Sequence, residues 1–145
     1  MITNERQCKV TQNQIKKLKD VLKSSKTGQK NMPPAIYNAM IAGMDSQISD
    51  MRKELKEYEA LRGAKKFEYS SLTDLPIVFI KARIARGYTQ KEFACKVNTS
   101  PQQIQRYEST GYSNISFKKA LKFAEALGVK FKGEVSVKQD NGSVI

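Results

Sequence analysis

The stretch TQKEFACKVNTSPQQIQRYES, residues 89–109, decides the fold. Thr89 suits an N-cap, because its side-chain oxygen can accept an N–H of the first turn that has no helical partner, and Gln90 to Val97 follow as a short helix. Asn98 then stands at a sharp turn, where asparagine enters the left-handed conformation more readily than most residues. Ser100 and Pro101 open the next helix, the proline suiting a first turn whose N–H is unbonded anyway. Phe93, Ala94, Val97, Ile104 and Tyr107 fall on inward faces, and small Ala94 lets the helices approach closely. Two short helices joined by a tight turn are the centre of this half of the chain.

The pattern continues on both sides. Thr73 is placed to cap a helix whose stripe of Leu75, Phe79, Ile80, Ala82 and Ile84 runs to Arg86 and ends at Gly87. Downstream, an apolar helix closes on Ala126-Leu127-Gly128-Val129. The spaced set Thr89-Gln90-Lys91-Glu92-Phe93-Ala94, Asn98-Thr99-Ser100, Ile104, Glu108 and Ala126-Leu127-Gly128-Val129, with Gly87 just before it, resembles the helix-turn-helix domain of the Cro and lambdoid-repressor type, the XRE family. The resemblance covers about residues 73–130, a little under half of the chain.

The resemblance implies a DNA-reading surface. Gln90 matches the family glutamine that touches a phosphate and buttresses the recognition helix, and Ser100 and Pro101 set the start of that helix, about residues 100–109, against the DNA backbone. Gln102 and Gln103 face base edges, where an amide pairs bidentately with adenine N6 and N7. Arg106, one turn on, reaches guanine or a phosphate, and Gln105 sits beside it with its direction open. Plain solvent-facing polars are the bland alternative for Gln102 and Gln103. Arg83 and Glu108 match a structural pair that ties the first helix of the domain to the end of the recognition helix. The chain departs from the family pattern at Asn98, where glycine is common, and in a longer loop, Ser109 to Ile115, in which Tyr112, Ser113 and Asn114 are candidate backbone contacts. Lys118 and Lys119 stand either by phosphates or as ordinary exposed lysines.

The first half has a different period. Ile15, Leu18, Val21 and Leu22 recur at helical spacing behind Thr11, which predicts one amphipathic helix from 11 to about 25 with a lysine outer face. A loop through Ser24, Thr27 and Asn31 leads to Pro33-Pro34 and a long helix reaching Arg62 before Gly63. Along it Tyr37, Ile41, Met44, Ile48, Met51, Leu55 and Tyr58 fall at alternating steps of four and three, a heptad seam. A first helix begun at Thr11 is too short to cover that seam, so part of it must find another surface. A coiled coil with a second copy is the preferred expectation; an intrachain hairpin with exposed methionines is the other.

Beyond Gly128, Val129, Phe131, Val135 and Val137 alternate with Lys130, Lys132, Glu134, Ser136 and Lys138 at period two, which predicts a strand. With no comparable second strand, it should pair with the same strand of another subunit through Val135 and Val137, or else pack Phe131 on the domain as a tail. The expected fold is mainly α. A helical hairpin or coiled coil at 1–64, for oligomerisation or partner binding, is followed by a linker at 65–72. A helix-turn-helix domain with a short C-terminal β-strand then spans 73–138, ahead of a tail at 139–145.

Charge and composition bound the function. The 145 residues carry 26 Lys+Arg against 14 Asp+Glu, a net +12 that favours polyanionic partners. Residues 1–32 hold +6 of it, as a solvated lysine face or a phosphate-binding arm, and 73–145 hold the other +6, while 33–72 are balanced. The absence of histidine removes the histidine-based triads and most zinc sites. Two cysteines cannot form an all-thiolate zinc cage, and no Gly-rich phosphate loop is present. No enzyme activity, metal or cofactor is therefore expected. Cys8 and Cys95 in a chain with a polar start point to a reducing cytoplasm, with a single disulfide left open, and no apolar run spans a membrane. The expected function is a sequence-specific double-stranded DNA-binding regulator, most simply a homodimeric repressor on a palindromic operator. The alternative is an antitoxin whose N-terminal helices capture a toxin while its DNA-binding half represses their shared promoter.

Overall fold

In the computed structural model, which describes residues 1–28 and 32–137, the described residues form six α-helices: α1 Glu5–Gly28, α2 Pro34–Leu61, α3 Leu75–Ala85, α4 Gln90–Lys96, α5 Pro101–Ser109 and α6 Phe117–Leu127. Lys138, the expected tail at 139–145 and Asn31 of the expected interhelical loop lie outside the described residues.

The first helix starts earlier than Thr11. Asn4 caps it, its Oδ1 accepting the Gln7 N–H at 2.9 Å, while Gln7 Oε1 accepts the Thr3 N–H at 2.8 Å. Two donors without helical partners are satisfied this way, and Thr11 becomes an interior residue. The helix then has 24 residues against 28 in α2, about 36 Å beside about 42 Å at 1.5 Å per residue. Its covered positions, Cys8, Thr11, Ile15, Leu18, Leu22 and Ser25, repeat at steps of three and four, a seam that the polar Thr11 and Ser25 conceal in the sequence. The two helices pack along each other as an intrachain hairpin. In the α2 seam Ile48 and Tyr58 are buried, and Tyr37, Ile41, Met44, Met51 and Leu55 are half-buried. The expectation that α1 is too short to cover the seam is corrected here, because the Asn4 cap adds nearly two turns.

A short 3-10 helix, Leu72–Asp74, precedes α3. Its cap is Ser71 rather than Thr73: Ser71 accepts from Thr73 N–H, and Asp74 Oδ2 accepts Ser71 N–H at 3.1 Å. Thr89, Ser100 and Ser116 cap α4, α5 and α6, each accepting an N–H three residues on. The helices α3 to α6 also end alike, on a left-handed residue, just after the cap in α3 to α5 and at the cap Gly128 in α6, whose successor is bonded back five residues. These bonds are Tyr88 N–H to Arg83 O, Thr99 N–H to Ala94 O, Tyr112 N–H to Tyr107 O and Val129 N–H to Ala124 O. Asn98 does this at φ 53°, as its residue type suggested.

Phe123 on α6 is the hub of the core: its ring meets Phe93 at 5.2 Å, Tyr107 at 5.9 Å and Tyr112 at 6.1 Å between centroids. Phe93, Ala94 and Ile104 are fully buried around it. The hairpin joins the same core, since Ile2 and Tyr58 are buried within one cluster with Phe79, Ile84 and Leu127. Two polar links reinforce the junction, Arg83 Nη2 to Thr3 O at 2.7 Å and Gly63 N–H to Ala85 O at 3.1 Å.

The segment 129–137 is extended but forms no strand among the described residues, which corrects the expected short β-strand. A ladder needs a second strand. Among the described residues it is Tyr69 that meets the segment, its hydroxyl donating to Lys132 O at 2.7 Å and its ring meeting Phe131 edge-on. Val135 and Val137 stay 94% and 82% exposed. No described helix is long and apolar enough to cross a membrane.

Candidate nucleic-acid interface

The turn between α4 and α5 is held from behind by a buried carboxylate. Glu108, near the end of α5, accepts from Arg83 Nε and, at 2.9 Å, from Arg83 Nη2; Gln90 Nε2 at the start of α4 donates to its Oε2 at 2.7 Å. Arg83 is 2% exposed and also donates to Tyr88 O at 2.8 Å and to Thr3 O. One guanidinium thus fixes α5, the α3–α4 turn and the start of the chain. Its donors and the Glu108 oxygens are satisfied together, which is what makes burial of such a pair tolerable. The amide nitrogen of Gln90 is therefore turned inward, onto the carboxylate near the end of α5.

Because Ile104, Tyr107 and Glu108 point into the core, the opposite stripe of α5 is forced outward. Pro101, Gln102, Gln105, Arg106 and Ser109 are exposed. Gln105 and Arg106 follow Gln102 by three and four residues, so the three side chains share one helical face, which settles the direction of Gln105. Gln103 differs from its neighbour. It is half-buried, and the Tyr107 hydroxyl one turn on accepts from Lys119 Nζ at 2.9 Å. The Lys119 ammonium beside it holds the Tyr107 phenol below its usual range. Lys119 is thereby tied to α5, an engagement its sequence position gave no reason to single out.

Tyr112, expected as a backbone contact, is 1% exposed and is a core residue. Gly111 and Tyr112 are consecutive left-handed residues at φ 57°, which swings the Tyr112 ring back over Phe79 and Phe123. Such backbone costs a non-glycine residue about 1–2 kcal/mol, a sum that burying an aromatic ring offsets. Burial pushes its phenol well above the ordinary tyrosine range, and the hydroxyl has no hydrogen-bond partner among the described residues. Ser113 and Asn114, next along the loop, are exposed. Ser100 is exposed too, its oxygen occupied by the Gln103 N–H at 3.2 Å.

Sequence reasoning missed a further feature of this face. Arg6 on α1 and Arg62 just after α2 line a cleft together with Lys91 and Pro101, although eighty or more residues separate Arg6 from the other two. Only the docking of the hairpin brings them there, so no local signal marks them.

Residues 79–133 match the helix-turn-helix family model. Over 55 residues the chain is 40% identical to a Yarrowia lipolytica protein named as a candidate multi-protein-binding factor 1. That alignment covers 38% of this chain and 36% of the relative, so the chain spans about a third of the length of the curated relative it matches. No solved structure matches the chain significantly. The family match begins within α3 and ends beyond α6, and therefore takes in the turn, the Arg83–Glu108 pair and the exposed stripe of α5. Residues 79–133 are a helix-turn-helix domain of the XRE type, a DNA-binding regulatory module, carried here behind an N-terminal helical hairpin.

Proposed function

We propose that the chain is a sequence-specific double-stranded DNA-binding regulator, acting as a dimeric repressor on an inverted repeat and performing no catalysis. The observation that carries this reading is the shared exposed face of Gln102, Gln105 and Arg106, on a helix whose other side is locked by Glu108. An amide pairs with adenine and a guanidinium with guanine in the major groove, so three such side chains on one stripe suit base readout. Gln103 is half-buried, which shifts readout to the exposed Gln102, Gln105 and Arg106. Ser100, Pro101, Gln90, Ser113 and Asn114 surround the stripe and serve the backbone in this reading. The net +12 supplies affinity that weakens with salt.

Subunit pairing in this reading uses apolar residues that the chain leaves uncovered, Val135 and Val137 with Phe117 and Leu121 of α6, since α1 occupies the α2 seam. A second reading is favoured by the same residues. The relative is named for binding multiple proteins, and Phe117 and Leu72, each 79% exposed, suit capture of a protein partner such as a toxin.

Selection of bound fragments from random duplex DNA tests the first reading. An inverted repeat with half-sites about 10 base pairs apart is the expected product. Gln102→Ala with Arg106→Ala should then abolish the preference while most binding to random duplex remains, because phosphate contacts carry no sequence information. An equal loss on selected and random DNA would remove the base-reading assignment.

A further inference from the structure

The cleft between the hairpin and the helix-turn-helix domain has a volume of about 380 Å³. Arg6 and Arg62 line it from the hairpin side, and Gln90, Lys91 and Pro101 line it from the starts of α4 and α5. Arg6, Arg62 and Lys91 are exposed and make no salt bridge to a described residue. The one acidic residue of the cleft, Glu5, is paired with Lys9 at 3.6 Å. Three cations thus converge where the DNA-reading face meets the hairpin.

Their placement is fixed. The Arg83 guanidinium that organises the turn also holds Thr3 O, Ile2 is 3% exposed in the shared core, and the terminal ammonium reaches Glu54 Oε1 at 3.2 Å. The start of α1 is therefore a docked element rather than a loose arm, and the side chain of Arg6 projects from a defined position.

We infer that the hairpin is part of the DNA-binding surface: Arg6 and Arg62, together with Lys91, bind a backbone phosphate flanking the site read by α5. This deepens the DNA-binding reading and rests on it. The helix-turn-helix domain alone would then bind a shorter stretch of backbone than the whole chain.

The test uses the full chain, the selected duplex, a scrambled duplex of equal length and a series of salt concentrations. Arg6→Ala and Arg62→Ala should each weaken binding about fivefold to tenfold near 0.1 M salt, equally on both duplexes, and each should lower the slope of log affinity against log salt by about 1. Arg6→Lys should restore most of that slope. Lys19→Ala removes the same charge from an exposed position of α1 outside the cleft and should leave the slope unchanged. All three substituted side chains are exposed, so unchanged thermal melts should accompany the variants. If Arg6→Ala and Arg62→Ala move the slope no further than Lys19→Ala, or weaken only the selected duplex, the phosphate site is overturned while the DNA-binding reading stands. If the unmodified chain binds neither duplex, both fall together.

Discussion

Two helix pairs in this molecule are held by opposite means. The α1–α2 hairpin is long, 24 and 28 residues, and its cohesion comes from two apolar seams running along each other. The α4–α5 pair has only 7 and 9 residues, lengths at which an isolated helix does not persist in water. It depends on two caps, one left-handed asparagine and a buried ion pair reaching in from α3. Fixed points of that kind specify a geometry residue by residue. A seam specifies only that some apolar surface must cover it.

That contrast can be broken at several places. The largest effect should come from Glu108→Ala, which leaves the buried Arg83 charge without its carboxylate and costs about 3–5 kcal/mol. Chemical denaturation of the full chain measures it, and a loss below about 1 kcal/mol would mean that caps alone hold the turn. Next, Ile48→Ala should cost about 2–5 kcal/mol by opening a cavity between α1 and α2, with no change of mass by light scattering. A halved mass with stability intact would instead make the α2 seam a surface between subunits. The smallest change sharpens the comparison rather than breaking it. Ser100→Ala, at the cap of α5, should cost about 1 kcal/mol by thermal melting, and with it some order at the start of α5.

Much of the DNA-binding half was legible because its signals are local. Thr89, Asn98, Ser100 and Pro101 each act within their own turn, and the structure finds each doing so. The core positions Phe93, Ala94, Ile104 and Tyr107 followed from helical spacing. Tyr112 was misplaced on the surface because its direction depends on two consecutive left-handed residues, a conformation that its bulky side chain argues against. Gln103 looked equivalent to Gln102, yet packing leaves Gln103 half-buried and Gln102 exposed. The start of α1 was misread because Thr11 is as good a cap by type as Asn4, and nothing local says which is used.

By itself the sequence determined the helix-turn-helix pair, the basic character of the chain and the heptad seam of α2, since caps, charge and periodicity are properties of neighbouring residues. The tertiary structure alone decided that α1 covers that seam, that Arg83 ties Thr3 to Glu108, and that Arg6 and Arg62 come to stand beside Lys91. These are contacts between residues far apart in the chain. Their formation depends on which surfaces are left uncovered once the local elements exist, and burial is satisfied by any apolar partner of suitable shape.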